Sequence, residues 1–134
     1  MSVYDKSLIL YVMLVFMVFQ ALYQAARFKQ NKPISHKFHG WIYVGMTVLA
    51  CLPFGFWCGW LVALKLAGIA ALQRLGVYDP LLNFMRSKRP ILTYNGKGTT
   101  DSWQDRIENL LPKRFLLPLK IAYIVAFVLY TILI

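Results

Sequence analysis

Residues 41–75, WIYVGMTVLACLPFGFWCGWLVALKLAGIAALQRL, decide the fold, because this apolar run is too long for one membrane crossing. As one straight helix it would measure ~52 Å, whereas the hydrocarbon core of a bilayer is ~30 Å thick. Pro53 and Gly55 lie near its middle. Two arrangements are open: a kinked, tilted span from Trp41 to about Leu64, or a re-entrant hairpin that turns between Pro53 and Gly59.

Charge on either side of this run bears on the choice. The segment from Arg27 to Lys37 is basic, and so is the longer segment from Arg74 to Arg114. A hairpin would place both segments on the same side of the membrane, as the positive-inside rule prefers, and a single span would separate them. Against the hairpin, each of its arms is short for a full crossing. Both arrangements therefore remain open.

Two further apolar runs flank the central one. Leu8 to Ala26 would form a helix ~28 Å long, and Phe115 to Ile134 one of ~30 Å, both close to the hydrocarbon thickness. The first run exceeds the roughly 7–15 residues of a signal-peptide core, and its positive charges follow it. It is therefore predicted to be a retained span with its N-terminus on the outer side.

Composition agrees with a membrane protein. Of the 134 residues, 59% are hydrophobic, and the mean hydropathy is +0.54, above what an ordinary soluble domain shows. We expect a single all-α integral membrane domain with about three hydrophobic segments (8–26, 41–75 and 115–134). Short amphipathic interfacial helices are expected within the polar segment 78–111.

The polar segment carries two helix start signals. Asp79 followed by Pro80 predicts a short helix that ends before Pro90, and Ser102 predicts a second one. The second helix would carry one apolar face at helical spacing. That face consists of Trp103, Ile107, Leu110 and Leu111.

Side chains able to support catalysis or bind a metal are few. His36 and His39 could share a helix face, but two histidines alone make an incomplete metal site. None of the five acids is predicted to be buried in the middle of the membrane, and Lys65 and Lys120 are predicted to extend towards its surface. We therefore expect no enzyme activity and no cofactor. The two cysteines, Cys51 and Cys58, are too far apart along a helix to bridge and are predicted to be free thiols.

The net charge of +10 comes from 15 Lys and Arg against 5 acids. Positive-inside bias is one sufficient explanation. The other is a surface that binds anionic lipid headgroups, at about 1 kcal/mol per cation, or binds nucleic acid without sequence preference. The predicted contact residues are Arg27, Lys29, Lys32, Lys37, Arg86, Lys88, Arg89, Lys113 and Arg114.

Small residues recur at every fourth position in the central run. They are Gly55, Gly59, Ala63, Ala67 and Ala71. Such spacing lets helix backbones approach closely inside lipid, where packing drives association. We expect these residues to form a helix-packing face, within the protein or between subunits.

Residues 89–111, RPILTYNGKGTTDSWQDRIENLL, resemble a segment of uncharacterised small membrane proteins of flavobacteria-like bacteria and their phages. The matching positions are Arg89, Pro90, Tyr94, Gly96 or Gly98, Thr100 and Asp105. The overall layout is also similar to that of internal-membrane proteins of membrane-containing phages. The resemblance implies a membrane protein and implies no particular activity.

These patterns favour a non-enzymatic structural membrane protein of a larger assembly, in a bacterial inner membrane or the internal membrane of a virion. Its partners would be the lipid bilayer, anionic lipids, and other membrane subunits or further copies of itself, with non-specific nucleic acid as a further partner. Two alternatives remain. One is a holin-like membrane-permeabilising protein, and the other is an accessory subunit of a respiratory or transport complex.

Overall fold

A computed structural model describes residues 1–30, 36–86 and 103–134, and in these ranges the chain forms helices and no strand. The all-α membrane fold predicted from the sequence is therefore confirmed. The elements are α1 (Val3–Lys29), α2 (His36–Cys58), α3 (Trp60–Met85), α4 (Trp103–Leu110), a 3-10 turn (Lys113–Phe115) and α5 (Leu116–Leu133).

The central apolar run turns back at Gly59. This residue separates α2 from α3 and has a φ of 99°, in the left-handed region that glycine adopts at no steric cost. The turn lies in the interval proposed for the hairpin, but the arms are not short. With 23 and 26 residues, α2 and α3 are ~34 Å and ~39 Å long. Within the described ranges, four helices rather than three are long and apolar enough to cross a membrane.

The length of α3 overturns one sequence prediction. Asp79 and Pro80 do not begin a new helix, because α3 continues through them to Met85. Proline inside a helix removes one backbone hydrogen bond. Here Tyr78 and Leu82, on either side of that pair, are both fully buried. Burial of these two side chains outweighs the local preference of proline for a helix start.

Contacts between the helices set their directions. Near the start of α1, Lys6 Nζ donates to the carbonyl oxygen of Thr131 near the end of α5, at 3.0 Å. Near the end of α1, the Arg86 guanidinium lies 3.6 Å from the ring centre of Phe28. Arg86 directly follows α3, so α3 runs parallel to α1, whereas α5 runs antiparallel to it. Because the chain reverses at Gly59, α2 also runs antiparallel to α3. We call the end where α1 and α3 finish the basic end, and the other the opposite end.

The core lies around α3, which packs against α1, α2 and α5. Its fully buried Leu66, Ile69 and Ala70 belong to one hydrophobic cluster with residues of α1 and α2. In α5, by contrast, the buried residues are Leu116 and Lys120. The rest of α5 is strongly apolar and leaves side chains such as Ile132 exposed, as expected of a helix that faces lipid.

Helices α3 and α5 approach each other closely at two glycines. A Cβ atom on Gly76 would lie 3.2 Å from the carbonyl oxygen of Tyr123 and 3.3 Å from the Cα of Ile124. Gly68 lies directly against the phenol ring of Tyr130. Small residues therefore do allow close helix packing, but at positions outside the predicted stripe.

The predicted stripe does not form one helix face. Gly55 belongs to α2, where the indole of Trp60 covers it, and Gly59 is the turn. Ala63 is buried in α3, Ala67 is partly buried, and Ala71 is exposed. The four-residue register continues in the sequence through Gly59, but the helix does not, because the chain reverses there.

Candidate functional site

A buried ion cluster joins three helices near the basic end. Lys120, in the second turn of α5, donates from Nζ to Asp79 Oδ2 of α3 and to Glu108 Oε1 of α4, both at 2.6 Å. Lys120 and Glu108 are each 2% exposed. The cluster therefore fastens the short helix α4 and the last span α5 to the central helix α3.

This cluster corrects one prediction. Lys120 does not extend towards the surface, because it is buried in ion pairs with Asp79 and Glu108. Charges are costly to bury unless they are paired and hydrogen-bonded. Each 2.6 Å contact is a charge-assisted hydrogen bond, so pairing makes burial of Lys120 tolerable. Two carboxylates thus surround one ammonium group. Because Glu108 is the residue by which α4 contacts Lys120, the position of α4 depends on this ion pair.

Two residues of the predicted apolar face of α4 are turned outwards, while Leu111 is partly buried and the side chain of Trp103 lies outside the described residues. Glu108 points into the protein, whereas Ile107 is 45% and Leu110 is 85% exposed. An eight-residue helix beside the ends of membrane spans can place such residues in the headgroup layer. We therefore interpret α4 as an interfacial helix, held to the bundle by Glu108, with Ile107 and Leu110 directed towards lipid.

Positive charge is concentrated at the basic end. Among the described residues, Lys6 and Lys65 belong to the opposite end, at the starts of α1 and α3. The described cations of the basic end are Arg27, Lys29, Lys37, Arg86, Arg106 and Arg114, together with Lys120, whose charge is paired with Asp79 and Glu108. Because α2 and α3 return the chain to the side it left, the described cations before α2 and after α3 share this end.

The predicted contact residues fall into two groups at this end. Lys29, Lys37 and Arg114 are exposed, whereas Arg27 and Arg86 are partly buried. The exposed group is available to anions in the headgroup layer, at about 1 kcal/mol per cation. Three predicted residues, Lys32, Lys88 and Arg89, lie outside the described residues, as does the side chain of Lys113.

Arginines are also used inside the bundle, which sequence reasoning missed. The Arg74 guanidinium lies 3.3 Å from the ring centre of Tyr78 and 5.6 Å from that of Tyr43. Contacts of this kind between a cation and an aromatic face are favourable, more so away from water. The four-residue spacing of Arg74 and Tyr78 on one helix was the available signal.

Polar side chains connect α1, α2 and α3 inside the membrane-spanning region. Gln20 Nε2 donates to the carbonyl oxygen of His39 at 3.0 Å, and Gln73 Nε2 donates to that of Leu10 at 3.1 Å. Tyr43 donates its hydroxyl proton to the carbonyl oxygen of Ala70 at 2.7 Å. Gln20 therefore contacts another helix, as polar side chains in membrane-spanning helices often do.

Metal ligands do not come together in the described part of the chain. No group of three or more His, Cys, Asp or Glu residues there could hold a metal ion. The His39 ring lies 5.4 Å from the ring of Tyr23, and the side chain of His36 is outside the described residues. Cys51 and Cys58 are both free thiols, as predicted.

Comparison with known proteins adds no relative. No family model matches this chain, and no curated protein or solved structure is similar to it. Most of the positions that carry the resemblance to small bacterial and phage membrane proteins lie between residues 89 and 100, outside the described residues. That resemblance stays a prediction.

Proposed function

We propose that this chain is a non-enzymatic structural protein of a membrane assembly, and that its basic end binds anionic lipid headgroups. The observation that carries the proposal is the one-sided charge of the helical bundle. Most described cations belong to the end where α1 and α3 finish, and Lys6 and Lys65 belong to the other. A bilayer with anionic lipid attracts such an end.

The positive-inside rule gives this end an expected orientation. Short segments rich in Lys and Arg stay on the inner side of a membrane. The basic end is therefore expected to face the inside of a bacterial inner membrane or of a virion internal membrane. Packaged nucleic acid on that side is a second source of phosphate, and its binding would fall steeply with salt.

The exposed apolar surface supports a place within a larger assembly. In α5, Val125, Val128 and Leu129 are all exposed, and α2 likewise exposes Val48 and Leu49. Surfaces of this kind are compatible with lipid and with neighbouring transmembrane helices. Lateral association with other membrane subunits or with further copies of the chain is part of the proposal.

The lipid proposal is tested by competition between headgroups. The purified full chain is offered equal amounts of an anionic and a zwitterionic phospholipid, and the lipids retained are counted by native mass spectrometry at low salt. We expect enrichment of the anionic lipid. Replacing Lys29 and Arg114 by Gln should lower that enrichment roughly tenfold or more, since two cations at about 1 kcal/mol each are lost.

A matched variant makes the test specific for the basic end. Lys6→Gln combined with Lys65→Gln also removes two positive charges, but from the opposite end. This control should keep the enrichment. Equal retention of both lipids by the natural chain, or equal losses in the two double variants, would overturn the proposal. Binding of a single-stranded oligonucleotide with no preference among lipids would instead point to nucleic acid.

A further inference from the structure

Gln24 is a fully buried amide whose hydrogen-bonding groups find no partner in the protein. Its side chain is 0% exposed, and among the described residues neither Nε2 nor Oε1 has a hydrogen-bond partner. A side-chain amide carries two donors and an oxygen with two acceptor sites. Burying such a group without any hydrogen bond costs several kcal/mol, so buried amides are nearly always paired with protein or water.

The neighbouring turns of α1 present further unpartnered polar atoms. One turn towards the opposite end, Gln20 Oε1 is buried and without a partner, while Gln20 Nε2 is bonded to the His39 carbonyl. One turn towards the basic end is Phe28, and the Arg86 guanidinium lies over its ring. The Arg86 Nη1 is likewise buried and without a partner. These positions follow one face of α1 over ~12 Å.

These groups lie at increasing depth from the basic end of the bundle. Arg86 is partly exposed at the end of α3, Gln24 is fully buried, and Gln20 lies one turn deeper. The set offers donors at Arg86 Nη1 and Gln24 Nε2, and acceptors at the Oε1 atoms of Gln24 and Gln20. A ligand that satisfies all of them must both donate and accept, and it must fit between packed helices.

We propose that this face of α1 holds a short file of water molecules that enters beside Arg86 and reaches Gln24. Water supplies donors and acceptors in one small molecule, and buried water is found where two to four polar groups converge. Phosphate or another anion would meet the Oε1 atoms of the two glutamines, which only accept. The inference concerns the interior of the bundle and does not depend on lipid binding at its surface.

Transfer of magnetisation from water tests the proposal in the intact chain. The full chain is labelled with 15N in its Gln side chains, and its carbon-bound hydrogens are replaced by deuterium except in labelled Met methyl groups. It is then placed in deuterated lipid vesicles. Solid-state NMR then follows how fast each side chain receives magnetisation from water. We expect the Gln24 amide to respond within about twofold of the exposed Gln30 amide. The methyl group of Met17, fully buried two turns away among apolar residues, should respond several-fold more slowly.

Substitution of Gln24 assigns its NMR signal. The signal lost in Gln24→Leu identifies the Gln24 amide, and Gln24→Asn serves the same purpose if the Leu variant does not fold. A Gln24 amide that responds as slowly as the Met17 methyl group would show a dry interior and overturn the proposal. A fast response confined to Gln30 would do the same, whatever the chain binds at its surface.

Discussion

Lys120 and Glu108 are only 12 residues apart in the sequence, yet their contact of 2.6 Å closes the fold at the membrane surface. Between them the chain leaves α4, passes through the 3-10 turn and begins α5. The pair therefore determines how α4 lies against the bundle. Ile107 and Leu110 of α4 are exposed, so these two apolar side chains do not hold the helix against the bundle.

The first prediction follows from that dependence. Glu108→Gln replaces the carboxylate by a neutral amide and should loosen α4, because the attraction between opposite charges in this buried pair is lost. Hydrogen–deuterium exchange of the α4 backbone amides should become several-fold faster. Asp79→Asn is the matched control, since it weakens the other contact of Lys120 and leaves Glu108 in place. Equal acceleration of α4 in both variants would contradict the assigned role of Glu108.

The second prediction concerns Lys120 itself. Lys120→Met removes the cation shared by Asp79 and Glu108, and breaking a buried ion pair typically costs about 3–5 kcal/mol. The unfolding midpoint of the full chain in detergent should fall by many degrees. Lys65→Met, at a partly exposed lysine of α3, should change it little. The triple variant with Asp79→Asn and Glu108→Gln should recover part of the loss, because the carboxylates that lack their cation are then also removed.

The third prediction concerns topology. In a chain with Cys51 and Cys58 replaced by Ala, single cysteines are placed as Lys29→Cys, Arg114→Cys, Tyr4→Cys and Leu133→Cys, all at exposed positions. A membrane-impermeant maleimide added to intact cells should label Tyr4→Cys and Leu133→Cys. The other two should react only after the membrane is opened. Labelling of Lys29→Cys and Arg114→Cys from opposite sides would exclude the hairpin of α2 and α3.

The parts of the fold that depend on local pattern were predictable. The first and last spans follow from the lengths of their apolar runs: α1 contains the first and extends beyond it, and α5 is one residue shorter than the last at each end. Gly59 lies within the interval that one of the two open arrangements, the hairpin, gave for its turn, and that arrangement was favoured by the charge on either side of the run. The length of α3 was missed, because Asp79 and Pro80 signal a helix start while tertiary packing of Tyr78 and Leu82 decides the outcome.

The ion cluster could not be predicted for a different reason. Asp79 and Lys120 are 41 residues apart, and no periodicity connects positions on separate helices. Taken alone, a lysine near the start of an apolar span is typical of one that reaches towards the headgroups. The packing of α5 against α3 beside Gly76 brings Lys120 to Asp79, and Glu108 of α4 joins them.

The last prediction concerns Gly→Ala substitutions, in which the added methyl group favours the helix but can also overpack its surroundings. Alanine favours a helix over glycine by up to about 1 kcal/mol. At Gly45 a Cβ would meet nothing within 4 Å, so Gly45→Ala should leave stability unchanged or raise it slightly. At Gly76 the same Cβ would lie 3.2 Å from the backbone of α5, which cannot rotate away as a side chain could. Overpacking typically costs about 1–3 kcal/mol, so here the loss should exceed the gain.

Thermal unfolding of the two variants in the same detergent decides between these effects. We expect the midpoint of Gly76→Ala to fall below that of the natural chain, and that of Gly45→Ala to equal or exceed it. Displacement of α5 should also separate Lys120 from Asp79, so Gly76→Ala combined with Lys120→Met should cost less than the sum of the two single changes. Strict additivity would mean that the helix crossing at Gly76 and the ion cluster are independent, contrary to the geometry of α3 and α5.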